Sequence, residues 1–202
     1  MTDVAQRPCT AFEGDRQIAA GPLGQVALAV KARQDAQAGP LLVFDDVTGR
    51  VLDLDLRGDE AAIRSRLPAL ASLFGALGET DDPPTPAGPR GRGRPKLGVV
   101  AREVTLLPRH WAWLAAQPGG ASVALRKLVD QARRESAGDD LRRQSAEAAY
   151  RVMAALAGDR PAFEEASRAL FARDAGRLDE AMRDWPRDLA RYVASLAFRG
   201  EG

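Results

Sequence analysis

The chain has 202 residues, 45% hydrophobic and 28% charged, with a net charge of +1. This composition fits an ordinary globular protein of one large domain or two small ones and excludes a chain too polar to build a core. The single cysteine, Cys9, excludes an intrachain disulfide and fits a reducing compartment, and no run approaches the roughly 18 apolar residues of a membrane span.

The opening residues, MTDVAQRPCTAFEG, show no basic stretch followed by an apolar one, so no secretory leader is expected and a cytoplasmic location is. Arginine outnumbers lysine 26 to 3, the usage of a GC-rich bacterium. Charge is distributed unevenly. Between Arg90 and Arg134 ten basic residues meet two acidic ones, Glu103 and Asp130, a local balance of +8 that leaves −7 on the remainder. A basic functional face on an acidic body is the expectation.

Residues 1–78 read as a small α+β domain. CTAFEG and QIAAG, joined at Asp15-Arg16, form a short hairpin. Leu23, Val26, Ala27 and Val30 recur at helical spacing. LLVFDD and RVLDLDL around VTG form a second hairpin, in which Leu52, Leu54 and Leu56 alternate with Asp53 and Asp55, leucines inward and aspartates outward. Asp59 caps a further helix that Pro68 kinks or ends. The predicted order is ββαββα.

Residues 79–98, dense in Pro, Gly and charge, are expected to form a flexible basic linker. Residues 99–136 read as a strand–helix–helix unit. VVAREVTLL is the strand, and Pro108 opens a helix, where its missing N–H costs nothing. PGGAS breaks that helix, and Ser122 caps a second one with Ala124, Leu125, Leu128, Val129 and Ala132 on its apolar face. Trp111 is expected in the core, and Trp113 and Trp185 half-buried. Residues 139–202 are helical throughout, a C-terminal bundle. One of its helices is expected to be capped by Asp159 and to carry Phe163, Ala166, Leu170 and Phe171 on one face.

VTLLP (Val104 to Pro108), Trp111 and Leu114, the glycine turn and SVALR (Ser122 to Arg126) together resemble the ribbon-helix-helix family of DNA-binding proteins. The resemblance implies a homodimer in which the strands of two chains pair and enter the major groove. It also implies a phosphate held by the amides of Gly120, Ala121 and Ser122, at a helix start that offers unpaired N–H groups. One feature departs from the family: Leu106 and Leu107 abut. With Val104 and Leu106 inward, Glu103, Thr105 and Leu107 would face DNA; the opposite register turns out Arg102 together with Val104 and Leu106.

PRGRGRPK (Pro89 to Lys96) resembles the AT-hook, whose arginines lie in the narrow minor groove of A·T tracts. The expected DNA contacts are Arg90, Arg92, Arg94 and Lys96 in this arm, with Arg102, Thr105, Arg109, Ser122, Arg126 and Lys127 in the folded unit. GRPKLGVVAREVTLLPRHW, QPGGASVALRKLV and AAYRVMAALAGDRPAFEEASRALF also resemble an uncharacterised bacterial family of unknown function, over nearly the whole chain.

Nothing in the sequence calls for catalysis. His110 is the lone histidine and reads as a surface or capping residue, and no Cys/His set has metal-ligand spacing. GRGRPK lacks the strand and the Lys-Ser/Thr ending of a phosphate loop. Asp45, Asp46, Asp53 and Asp55 could gather on one hairpin around a divalent cation, or form a solvated face. No catalytic residue, cofactor or metal is expected. The reading is a bacterial DNA-binding protein, a transcriptional regulator or nucleoid-associated protein. The alternative is a non-catalytic adaptor whose basic linker meets an acidic partner or RNA.

Overall fold

Gly14, at φ +55°, closes the first hairpin with Asp15, one residue before the expected position. The hairpin joins β1 (Pro8–Glu13) to β2 (Arg16–Pro22), and the register skips Ile18 as a bulge. The computed structural model describes residues 3–36, 39–70 and 102–200. After β2 come α1 (Leu23–Asp35) and β3 (Leu41–Asp45), which pairs antiparallel with β1 in a sheet of order β2-β1-β3. Leu23, Val26, Ala27 and Val30 are all buried, as their spacing predicts.

The expected fourth strand is reduced to one bridge, Phe44 to Val51. Gly49, at φ +67°, turns the chain, and the Leu52 N–H donates to the Val43 carbonyl. Residues 52–56 then leave the sheet. Their side chains still alternate, with Leu52 and Leu56 buried and Asp53 and Asp55 exposed. Arg57 and Arg66 hold Asp55 at this exit, so burial keeps the period of a strand without its hydrogen bonds. α2 (Glu60–Arg66) follows, capped by Asp59, whose carboxylate accepts from the Ala62 N–H at 2.8 Å. Leu67–Leu70, containing Pro68, tightens into a 3-10 turn.

Further along lie α3 (Pro108–Ala115), α4 (Gly120–Ala157), α5 (Phe163–Phe171), α6 (Ala175–Ala181) and α7 (Arg187–Ala197). Pro108 stands in the first turn of α3 as expected. The expected separate helices before and after residue 137 are one helix, α4, of 38 residues. Asp159 is not a cap: α5 starts after Ala162, which sits in the left-handed region at φ 60°, just beyond Pro161. The expected strand at 99–107 is not found in its described part, residues 102–107. An extended stretch becomes a strand only where a partner supplies its ladder. Residues 99–101 and the predicted flexible linker, 79–98, lie outside the described residues.

The chain divides into two compact units: Met1–Gly78 with Gly138–Gly202, and Glu79–Ala137. The first combines the sheet with the C-terminal helices, which the sequence reading separates. Strand alternation explains how. Cys9, Ala11 and Val43 point to one face and pack with Leu23, Val26 and Ile63. Phe12 and Phe44 point to the other face and pack with Val152, Met153, Leu189, Tyr192 and Val193. A sheet buried on both faces needs apolar residues at nearly every position, which is why LLVF reads as a continuous run.

Candidate functional site

The second unit carries ten basic and six acidic residues, a net +4, against −3 for the rest of the chain. Arg102, Thr105, Arg109, Ser122, Arg126 and Lys127 are all exposed. The other expected contacts, Arg90, Arg92, Arg94 and Lys96, lie outside the described residues. Arg133 and Arg134, not singled out by motif, are exposed as well.

Ser122 is not a helix cap. α4 begins two residues earlier, at Gly120, after a turn in which Gly119 and Gly120 adopt positive φ, 88° and 74°. The Gly120 N–H donates to the Gln117 carbonyl at 3.0 Å. Ser122 therefore sits inside the first turn, and its carbonyl accepts from Arg126 Nε at 3.0 Å. His110 is exposed, its N–H donating to the Leu107 carbonyl.

Trp111, expected in the core, is 42% exposed. Val104, Leu107, Trp113, Leu128 and Val129 are exposed too, whereas Leu114 and Ala124 are buried. Six large apolar side chains are thus exposed among the described residues of this unit. Trp185, in the first unit, is more buried than expected, its indole N–H donating to the Pro161 carbonyl at 2.9 Å.

Of the aspartates read as one solvated face, Asp53 and Asp55 are exposed, whereas Asp45 is buried and Asp46 half-buried. Asp45 is fully buried and accepts two hydrogen bonds from Arg7, from Nε and Nη2, each 2.8 Å. Burial pushes its carboxyl up, but Arg7 and Thr48 hydrogen bonds outweigh that and hold it below the ordinary value. Asp46 is the reverse. Burial dominates and raises its carboxyl, against hydrogen bonds from Tyr192 and Thr10 and the charge of Arg199. Arg57 holds the exposed Asp55 carboxyl well below the usual range. Among the described residues no group of three or more His, Cys, Asp or Glu side chains could hold a metal ion, and no helix is long and apolar enough to cross a membrane.

The Asp45–Gly49 turn ties the two chain segments of the first unit together. Tyr192 Oη donates to Asp46 Oδ1 at 2.7 Å, Arg199 to the Asp46 carbonyl, and Arg151 to the Thr48 carbonyl at 2.7 Å. Gly49 lies against the backbone of Ala148. Sequence reasoning found the aspartates but not Arg7, Tyr192 or Arg199, which reach them across sequence separations of 38 to 153 residues.

Residues 8–197 match the family described as "Uncharacterized protein conserved in bacteria (DUF2239)". The chain belongs to that family. This bears out the resemblance to an uncharacterised bacterial family. No curated protein and no solved structure is significantly similar to the chain.

Proposed function

We propose that this DUF2239 protein binds DNA as a homodimer, as a transcriptional regulator or nucleoid-associated protein. One observation carries the reading: its second unit exposes cations and large apolar side chains together. Arg102, Arg109, Arg126 and Lys127 are exposed in the same unit as the exposed Val104, Leu107, Trp111, Leu128 and Val129. The cations suit phosphates, whose neutralisation releases counterions. The apolar side chains suit a second copy, since burial is worth roughly 25 cal/mol per Å² removed from water. A ribbon shared between two chains would also give residues 102–107 a strand ladder, which they do not form among the described residues. Arg90, Arg92, Arg94 and Lys96 would precede this unit as an arm in the minor groove of A·T-rich DNA.

Fluorescence anisotropy with A·T-rich and G·C-rich duplexes, alongside light scattering, tests this. A dimer that neutralises six phosphates should show a log–log salt slope of about −5. A slope near zero, or a monomer, counts against the reading. Arg92→Ala with Arg94→Ala should remove most of any A·T preference, and Val129→Glu should dissociate the dimer. In the adaptor reading the same apolar side chains would only dimerise the unit, and the basic linker would meet an acidic partner or RNA. Equal binding to DNA, RNA and an unrelated polyanion would favour it.

A further inference from the structure

A cavity of about 310 Å³ in the first unit is lined by Thr10 and Gln17 of the sheet, Asp46 of the turn, and Arg191, Ser195 and Arg199. Arg191 and Ser195 belong to α7 and Arg199 follows it. Arg191 and Ser195, four residues apart, share one face of α7, and Arg199 lines the same cavity from beyond the helix end. The cavity lining thus includes two guanidinium groups and a hydroxyl. Ser195 Oγ donates its proton to the Tyr192 carbonyl at 2.7 Å, which leaves the oxygen to accept. Arg191 is largely exposed and has one ion pair, with Asp188 at 3.6 Å, too long for a good hydrogen bond. Planar guanidinium groups suit a carboxylate.

The same cavity also carries the opposite sign, on Asp46. Tyr192 Oη and the Thr10 side chain hydrogen-bond the Asp46 carboxylate, whereas Arg199 bonds the Asp46 backbone carbonyl. With hydroxyl hydrogen bonds on the carboxylate, Arg199 on the backbone carbonyl rather than the carboxylate, and burial holding the carboxyl above its ordinary value, the Asp46 charge is compensated only in part. A ligand ammonium would complete the compensation. The volume lies at the low end of small-molecule sites, about 300–1,000 Å³, and suits a ligand of few heavy atoms.

We infer that this cavity binds a small zwitterion, a free α-amino acid, its ammonium on Asp46 and its carboxylate between Arg191, Ser195 and Arg199. The site lies wholly within the first unit and is independent of the DNA-binding reading.

The test is an amide chemical-shift titration of the full chain with glycine, L-alanine and L-serine. Ethylamine and propionate serve as probes carrying one charged end each. At least one amino acid should bind with a dissociation constant of about 1 mM or tighter. Its shifts should centre on Thr10, Gln17, Asp46, Ser195 and Arg199, and ethylamine and propionate should bind about tenfold more weakly. Asp46→Asn and Arg191→Gln should each weaken binding about tenfold. Arg191 is exposed, so its replacement should leave the melting temperature unchanged and separates lost binding from lost folding. Absence of localised shifts with all three amino acids would overturn the inference. So would propionate or inorganic phosphate binding as tightly as the amino acids, or unchanged binding by Arg191→Gln.

Discussion

Asp45 and Asp46 are neighbours in sequence with opposite electrostatics, and this makes two residue-scale predictions. Arg7→Ala would leave the Asp45 carboxylate buried without its cation and should cost about 3 kcal/mol in urea unfolding. Asp45 has a folded pKa below its unfolded one. Its stabilisation is complete above the unfolded value, about 3.9, and is lost as pH falls through the folded value. Asp46 has a folded pKa above its unfolded one, so its contribution declines as pH rises through the unfolded and then the folded value. Urea midpoints from about pH 3 to about pH 7 should show Asp45→Asn flattening the acid limb and Asp46→Asn removing the decline at higher pH. Gly49 supplies a second test. A Cβ there would lie 2.1 Å from the Ala148 carbonyl oxygen, whereas one at Gly14 would meet nothing within 4 Å. Both glycines have positive φ, so Gly14→Ala should cost about 1–2 kcal/mol. Gly49→Ala should cost clearly more in thermal unfolding, because a backbone must move as well. None of these partnerships is local, and a residue-by-residue reading sees Asp45-Asp46 only as two charges side by side.

At the scale of elements, what the sequence reveals depends on whether an element is stabilised within itself. α1 is legible from Leu23, Val26, Ala27 and Val30, α2 from its Asp59 cap, and α3 from Pro108, because each signal lies inside the element. The segment Val51–Leu56 is legible in burial but not in pairing, since Arg57, Arg66 and the packing of Leu52 and Leu56 draw it away from β3. The length of α4 is hidden by Ser136-Ala137-Gly138, which resembles a break. A glycine in a helix costs only about 1 kcal/mol relative to alanine, and the pairs Asp139–Arg142 and Asp140–Arg143 support the next turn. A Cβ at Gly138 would find nothing nearer than the Arg142 guanidinium, at 3.7 Å. Gly138→Ala should therefore raise helicity by circular dichroism and stabilise the chain by about 0.8 kcal/mol. A loss of helicity would argue for two helices. The exposed cations of the second unit, Arg102, Arg109, Arg126 and Lys127, were legible as charges. The exposure of Trp111 was not, because an apolar pattern identifies a face that seeks a partner without saying whether that partner lies in the same chain.

For the whole molecule, the sheet is the meeting place of distant sequence. Phe12 and Phe44 touch Tyr192, with ring centroids 5.4 and 6.3 Å away. The Gln17 N–H donates to Asp188, and Arg160 pairs with Asp15. Phe12→Ala should remove about 3–5 kcal/mol. It should shift the Trp185 fluorescence transition, read with Trp111 and Trp113 replaced by Phe, together with the far-ultraviolet transition. Separate transitions would show that sheet and helices unfold independently. The same two phenylalanines set a timetable for synthesis. They leave the ribosome more than a hundred residues before Val152, Leu189 and Tyr192, which cover them. At about 5–20 residues per second, the nascent sheet stays bare on that face for several seconds or longer. The growing chain thus passes through a sticky stage in the cell, and a holding chaperone should be found on it until its last helix emerges.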